Sequence, residues 1–397
     1  MSQPPIDVPI VDVDYYGREA LLDPEKIYRA VREPGPVVWL RRHRVLAVAR
    51  FDALREMLRA DGDFISGRGV SMSDALNRAQ KSGEAVLLTD GEQHARLRKF
   101  LIEPMRPAAL ETIRPELEKE AHACLDRLVG AGRIDAMSTL ASHLPVTIVA
   151  RMVGLPERAR EQMLTWSKAT FNGIGPFNVR TLRSVPAIVG MLRTQRTLTR
   201  DEVEPGTWID RLFELHEAGE LREGEARGMF LDYVAPSLDT TIFATGHMLN
   251  RLARHPDAWA ALQGDRSLVP KAVDESLRID SVIRSFTRVS AREAEVDGVS
   301  IPADQRIVAC YGGANRDPRR YLDPGVFDVT RDARDHLAFG HGPHACAGTR
   351  LARLEMETLL RALLDRVERL EAEPPVIAMN NTLHGFERLP ISLPPAN

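Results

Sequence analysis

The sequence has little of what would place a protein outside a cell or in a membrane. Only three cysteines occur, Cys124, Cys310 and Cys346, far apart along the chain. They cannot build a disulfide framework, so a reducing, cytoplasmic setting is expected. The opening residues, Met1-Ser2-Gln3-Pro4-Pro5-Ile6-Asp7, have neither the basic nor the apolar region of a signal peptide. No apolar run approaches the ~18 residues needed to cross a bilayer, so the reading is a soluble protein with no membrane partner. An excess of one charge is also missing: 53 Lys and Arg face 56 Asp and Glu, which leaves no electrostatic footprint for nucleic acid. Internal repeats and low-complexity blocks are absent. Apolar residues, at 44% of 397, are enough for a large core.

Apolar periodicity predicts helices at 24–34, 107–130, 137–153, 156–171, 222–254 and 268–279. Short apolar runs predict strands at Val37–Leu40 and Val45–Val48, with further strand-like pieces at 285–290, 294–300 and 306–310. Gly173-Ile174-Gly175-Pro176 and Glu204-Pro205-Gly206 read as loops between helices.

The chemistry concentrates in Phe339-Gly340-His341-Gly342-Pro343-His344-Ala345-Cys346-Ala347-Gly348, followed directly by the apolar helical pattern Leu351, Leu354, Met356, Leu359, Leu360. A cysteine at a helix N-terminus feels the positive end of the helix dipole, which favours the metal-binding thiolate. Glycines at 340, 342 and 348 allow tight turning and close approach to a flat, bulky partner. Thiolate ligation of haem iron favours O–O cleavage. The bland reading is a small apolar core side chain. Zinc is the weakest option, because no second Cys or His stands at zinc spacing around Cys346.

In this segment the chain resembles the cytochrome P-450 family of haem-thiolate monooxygenases, whose signature Phe-x-x-Gly-x-(His/Arg)-x-Cys-x-Gly is filled at every fixed position. The resemblance spans essentially the whole chain. It implies a mainly α fold with a small β region and haem b (iron protoporphyrin IX) between a long central helix and the Cys-ligand loop. A single domain, 1–397, is expected: a β-rich part at about 35–65, a helical body at about 90–280, and β pieces with the ligand loop at about 281–397. Cys346 would be the iron ligand, and Phe339 would lie against the cofactor. His94 and Arg98, spaced to share a helix face, with Arg288 and His344, would hold the haem propionates. Glu275 and Arg278, the family's Glu-x-x-Arg, would join Asn315-Arg316-Asp317-Pro318 and Phe327-Asp328-x-x-Arg331 in a buried network bracing the ligand loop.

The 222–254 helix carries Ala235-Pro236-Ser237-Leu238-Asp239-Thr240-Thr241. Cleaving dioxygen needs two protons, and the family's acid-alcohol pair matches Asp239 and Thr240. Pro236 and Ser237 depart from the family's small residue and glycine. A proline here removes an N–H and clashes with the carbonyl of Asp232, so a kink is expected.

Closer similarity, to bacterial members oxidising small para-substituted aromatics of the alkoxybenzoate type, lies in four blocks. These are Gly67-Arg68-Gly69-Val70-x-Met72-Ser73-Asp74, Phe171-Asn172-x-x-Gly175-Pro176, Asn315-Arg316-Asp317-Pro318-Arg319-Arg320 and Asn380-Asn381-Thr382-Leu383-x-Gly385. By that register the pocket would comprise Arg68, Ser71, Ser73, Phe171, Ile174, Asp232, Ala235, Ile283, Phe286 and Leu383. Phe171 and Phe286 could clamp a ring, and Arg68 with the two serines could bind a carboxylate. Asp232, on the same helix face as Asp239, would repel an anion unless Arg68 or Arg284 neutralised it, and Ile174 replaces a larger aromatic. A neutral phenol, aryl ether or heteroaromatic is therefore as suitable as a benzoate.

The implied partners are O2, a small-molecule substrate, and a ferredoxin with its NAD(P)H-dependent reductase, steered by Arg96, Lys99, Arg334, Arg350 and Arg353. The implied reaction is hydroxylation or O-dealkylation. Two rivals remain: a peroxide-driven peroxygenase, against which Asp239-Thr240 speak, and a non-catalytic haem or gas sensor, for which a proton relay would be superfluous.

Overall fold

The computed structural model describes residues 3–79 and 84–396. The two apolar runs form the expected strands, and the structure pairs them as a hairpin, with Val37 opposite Val48 and Leu40 opposite Val45. All eight of these positions are buried, as expected for strands covered on both faces, whose sequences run continuously apolar instead of alternating. Val45–Val48 pairs in parallel with Arg306–Cys310, which pairs antiparallel with Ser285–Ser290. The six-stranded sheet runs in the order Ile10–Val11, Val37–Leu40, Val45–Val48, Arg306–Cys310, Ser285–Ser290, Phe64–Ile65. Because strand side chains alternate, Phe286 and Arg288 emerge on one face of the same strand. The predicted piece at 294–300 is a small hairpin, Ala294–Val296 against Val299–Ile301.

Helices make up the rest of the body. The Thr349–Arg366 helix, which follows the cysteine loop, packs against Pro107–Leu128 and Val269–Ile279. It buries Leu351, Leu354, Met356, Leu359 and Leu360 in the main core. Three helical expectations change in detail. The 156–171 segment is two helices, Glu157–Arg160 and Met163–Ile174, the second taking in Gly173 and Ile174 of the expected loop. Residues 137–153 contain wide turns at Met137–Ala141 and Pro145–Val149 before an α-helical turn at Ala150–Val153. The 222–254 segment is two helices, Glu223–Val234 and Asp239–Arg254, separated at Ala235–Leu238. Pro236 does more than kink the chain, because its missing N–H and the clash it creates interrupt the ladder outright. Side chains re-cover the freed carbonyls: the Ser237 hydroxyl donates to Tyr233 O, and the Thr240 hydroxyl donates to Pro236 O at 2.8 Å. Among the described residues no helix is long and apolar enough to cross a membrane.

The Glu275–Arg278 pair lies on Val269–Ile279, with both side chains wholly buried. Two parallel hydrogen bonds join them, at 2.7 and 2.8 Å. The remaining Arg278 donors reach Asn315 O at 2.8 Å and Pro324 O at 2.9 Å. Glu275 also accepts from Asp328 N at 3.1 Å and Arg331 Nε at 3.2 Å. Asn315 in turn accepts from Leu337 N at 2.6 Å, two residues before Phe339, so the network reaches the cysteine loop. A buried charge stripped of its partner keeps its desolvation cost. Arg278→Leu should therefore destabilise the protein by about 3–5 kcal/mol, read as a lower Tm of the haem-loaded protein. Arg114→Ala, which breaks an exposed pair with Glu111, should leave Tm unmoved.

Candidate active site

Cys346 lies just ahead of the Thr349–Arg366 helix, whose N-cap is Gly348. Its amide donates to Phe339 O at 2.7 Å, and its carbonyl accepts from the Thr349 hydroxyl at 2.8 Å. Gly342 has φ +70°, and a Cβ there would stand 2.4 Å from the Leu58 carbonyl oxygen, so only glycine fits. Gly348, at φ −83°, makes no such demand, contrary to expectation. The Cys346 side chain is exposed to open space although it lies deep in the protein body. Burial pushes the thiol up, against the opposing pull of the Gly348 N–H, the Thr349 side chain and the charges of Arg98 and Arg353. A bound metal cation would favour the thiolate at this position.

The four expected propionate donors come together from three elements: His94 and Arg98 from Gly91–Ile102, Arg288 from Ser285–Ser290, and His344 from the cysteine loop. The His94 and His344 rings lie 4.1 Å apart, and the Nε2 atoms of both are buried without a hydrogen-bond partner. Arg98 donates to Ala345 O. Arg288 is buried and donates to Thr287 O at 3.0 Å, with no carboxylate paired to it among the described residues. His94 is pushed down to about 4, first by burial and then by the charges of His344, Arg98 and Arg288. Asp90 relieves only part of this. Its Oδ1 stands 3.6 Å from His344 Nε2 and accepts from Ser66 N, while Oδ2 accepts from Gly67 N, at 2.8 and 2.7 Å. Arg98 and Arg288, with no carboxylate partner among the described residues, beside orphaned imidazole nitrogens and an accessible thiol, fit the two carboxylates and the iron of haem b.

Asp239 and Thr240 begin the helix after the Pro236 break. Asp239 is buried, and its carboxyl is pushed up to about 7 by desolvation, with Ser167 and Lys168 pulling the other way. It therefore exchanges a proton near neutrality. Thr240 is half-buried, and while its proton goes to Pro236 O its oxygen keeps acceptor capacity.

The pocket residues divide. Phe171, Ile174, Ala235 and Leu383 are buried, and Ile283 and Phe286 are partly buried against the core. Ile283 and Leu383 face each other across an isolated bridge. The polar members are committed elsewhere. Arg68 is half exposed and paired with Asp304. The Ser71 hydroxyl donates to Gly173 O at 2.9 Å, and the Ser73 hydroxyl accepts from Leu76 N at 3.4 Å. Asp232 Oδ2 accepts from Val86 N at 2.6 Å. Burial pushes its carboxyl up to about 7, against the pull of the Val86 and Leu87 N–H groups. The helix break removes the common face that Asp232 was expected to share with Asp239. Neither arginine neutralises it, because Arg284 is buried against Tyr15, donating to Tyr15 O at 2.8 Å with its charge over the Tyr15 ring.

Of the five cations expected to steer a redox partner, three are engaged. Arg96 pairs with Glu225, Arg334 with Asp332, and Arg353 with Asp274 while stacking on Phe339. Lys99 and Arg350 are exposed and have no ion pair among the described residues. The sequence reading passed over Asp274. Its carboxylate binds Arg353 at 2.7 Å and stands 3.6 Å from His336, bracing the segment before Phe339. Its position beside Glu275 was the available signal.

The cytochrome P450 family model matches residues 24–172 and 186–386. The chain is 33% identical to cytochrome p450 CYP199A2 of Rhodopseudomonas palustris, over 100% of this chain and 97% of the other. It is 30% identical to the cytochrome P450 monooxygenase PikC of Streptomyces venezuelae, over 96% and 94% of the two chains. Among solved structures, that of P450BioI in complex with an acyl carrier protein carrying hexadec-9Z-enoic acid aligns with a TM-score of 0.84 at 25% identity, covering 94% of this chain and 99% of that one. A mutant of P450 EryK in complex with erythromycin B aligns at 0.82 and 27%, covering 95% and 97%.

Since Asp239 has its pKa raised from 3.8 to about 7, folding favours its protonated form. The penalty is absent below about pH 4 and fully present above pH 7, where it reaches up to about 4 kcal/mol. Asp239→Asn should thus raise Tm at pH 8 and leave it unchanged at pH 4. A pH-independent difference in Tm would contradict the burial assigned to this carboxyl.

Proposed function

The chain belongs to the cytochrome P450 family, as a monooxygenase that binds haem b through a cysteine thiolate, and on that premise we propose that it hydroxylates or O-dealkylates a small, neutral aromatic substrate with electrons from a ferredoxin and its reductase. Cys346 would hold the iron, and His94, Arg98, Arg288 and His344 would hold the propionates. When bound, the haem supplies the iron chemistry that cleaves O2 and inserts one oxygen atom into a C–H bond. Every other contribution belongs to the chain's own side chains.

Asp239 is the proton carrier in this reading. A carboxyl poised near 7 is both loaded and able to release at neutral pH. Thr240 Oγ1 stands one residue on, where its free lone pair would accept a hydrogen bond from, and so orient, the group that receives the proton. Ser237, with its hydroxyl tied to Tyr233 O, serves the backbone instead of the relay.

One observation carries the neutral-substrate assignment: Phe171, Ile174, Ala235, Ile283, Phe286 and Leu383 are all apolar, while Arg68 is turned out to Asp304. A carboxylate placed among those six would lose its water without gaining a cation. Phe171 and Phe286 remain as ring contacts. Support for the electron donor comes from Lys99 and Arg350, unpaired cations suited to an acidic ferredoxin.

Optical titration of the ferric protein tests the substrate class. 4-Methoxyphenol should shift the Soret band with a Kd at least tenfold below that of 4-methoxybenzoate. The reverse order would return Arg68 to the role of anion anchor, and no shift with either would end the small-aryl-ether proposal. Thr240→Ala should lower product formed per NAD(P)H consumed several-fold and raise hydrogen peroxide correspondingly, whereas unchanged coupling would remove Thr240 from the relay.

A further inference from the structure

Two of the sequence blocks singled out above, Phe171-Asn172-x-x-Gly175-Pro176 and Asn380-Asn381-Thr382-Leu383, lie about 200 residues apart, and their asparagines have no part in the chemistry described so far. They are each other's hydrogen-bond partners. Asn381 is wholly buried. Its amide N–H donates to Asn172 Oδ1 at 3.0 Å. Its Nδ2 donates to Asn172 O at 2.9 Å, Thr181 Oγ1 at 3.0 Å and Asn178 Oδ1 at 3.2 Å. Its Oδ1 accepts from Arg180 Nε at 2.7 Å and Asn178 Nδ2 at 2.9 Å. With two hydrogens for three acceptors in reach, the Nδ2 group is fully used, and one side chain joins the ends of the helices Met163–Ile174 and Val179–Thr197 on either side of the turn.

By the pocket placement proposed above, Ile174 before the turn and Leu383 in the loop of Asn381 would both line the pocket, and both are buried. The loop has its own anchorage: Thr382 O accepts from Arg284 N at 2.9 Å, and His384 N donates to Val282 O at 2.7 Å. The turn is also held by Thr181, whose hydroxyl lies 2.7 Å from Pro176 O and 2.9 Å from Asn172 O, and by residues 71–72, through Ser71 Oγ to Gly173 O and Met72 N to Ile174 O, each at 2.9 Å. Asn380 adds a second tie across the joint, its Nδ2 donating to Lys168 O at 3.1 Å. Steric fit closes the joint, since a Cβ on Gly175 would stand 2.4 Å from Asn381 Cβ.

We propose that Asn381 is a positioning residue for substrate: it clamps the Ile174 roof to the Leu383 wall so that the two move as one body, and the clamp sets the size of ligand the pocket accepts. The inference rests on the pocket placement used in the proposed function but not on the substrate's identity. Its test therefore uses ligands that bind haem iron through nitrogen, whatever the natural substrate.

Two variants of the haem-loaded protein separate the clamp from a general loss of stability. Asn381→Ala deletes the side-chain hydrogen bonds and keeps the backbone one to Asn172 Oδ1. Gly175→Ala deletes none, and its φ of −72° accepts alanine, but the added methyl forces the two segments apart. In both, hydrogen exchange of amides 173–178 should accelerate at least tenfold while that of 282–290 stays unchanged. The Kd ratio between 4-phenylimidazole and the bulkier miconazole, read from the Soret band, should shift at least tenfold in favour of miconazole. Unchanged exchange at 173–178 in both variants would overturn the proposal. So would uniform acceleration across the chain with an unchanged Kd ratio, which is the signature of a purely structural asparagine. If the exchange result holds while neither methoxy compound binds the parent protein, the clamp stands and only the aryl-ether substrate falls.

Discussion

One buried ion pair carries the geometry on which everything else depends. Glu275 and Arg278 sit out of water on the Val269–Ile279 helix, and each charge is surrounded by further hydrogen bonds. Such a pair gives little net stability, because desolvation cancels much of the Coulomb gain. What it gives is position. Arg278 holds Asn315 O, Asn315 holds Leu337 N, and two residues later Phe339 receives the Cys346 amide. Asp274, beside Glu275, does the same from another direction through Arg353 and His336. A ligand atom that must stand at one point above a flat cofactor is thereby tied to the core on two sides.

The proposed cofactor site is the opposite kind of construction: among the described residues Arg98 and Arg288 have no carboxylate partner, and Asp90 stands 3.6 Å from His344 alone. His94, Arg98, Arg288 and His344 crowd one another, and the Nε2 atoms of the two imidazoles lack hydrogen bonds among the described residues. Iron and two carboxylates would answer these groups, so that cofactor binding and folding would be linked. Burial likewise raises Asp239 to about 7, which favours the protonated form that a relay would need.

The sequence made parts of this legible for definite reasons. Val37–Leu40 and Val45–Val48 announce a sheet covered on both faces because such strands must be apolar at every position. The cysteine loop announces itself because a backbone turning at Gly342 against Leu58 admits no other residue. His94 and Arg98 share a face by helical periodicity alone. Pro236 announced a bend, though not a complete break, because how far a ladder separates depends on which side chains re-cover its carbonyls. The outward turn of Arg68 was not legible. An arginine in a register that suits an anion still takes the nearest acid, and Asp304 becomes near only in the folded chain. The same holds for Asp232, whose partners are the N–H groups of Val86 and Leu87.

By itself, the sequence determined the class of chemistry, because the cysteine loop, the Glu-x-x-Arg pair and the acid-alcohol pair are local motifs whose resemblance to one family is legible in their order along the chain. Only the tertiary structure decided which polar groups remain free inside the pocket, and therefore what the pocket favours. That outcome depends on pairs such as Arg68 with Asp304 and Asn381 with Asn172, formed between residues some 200 positions apart. No local pattern encodes those distances. They follow from how sheet, helices and loops close around one core.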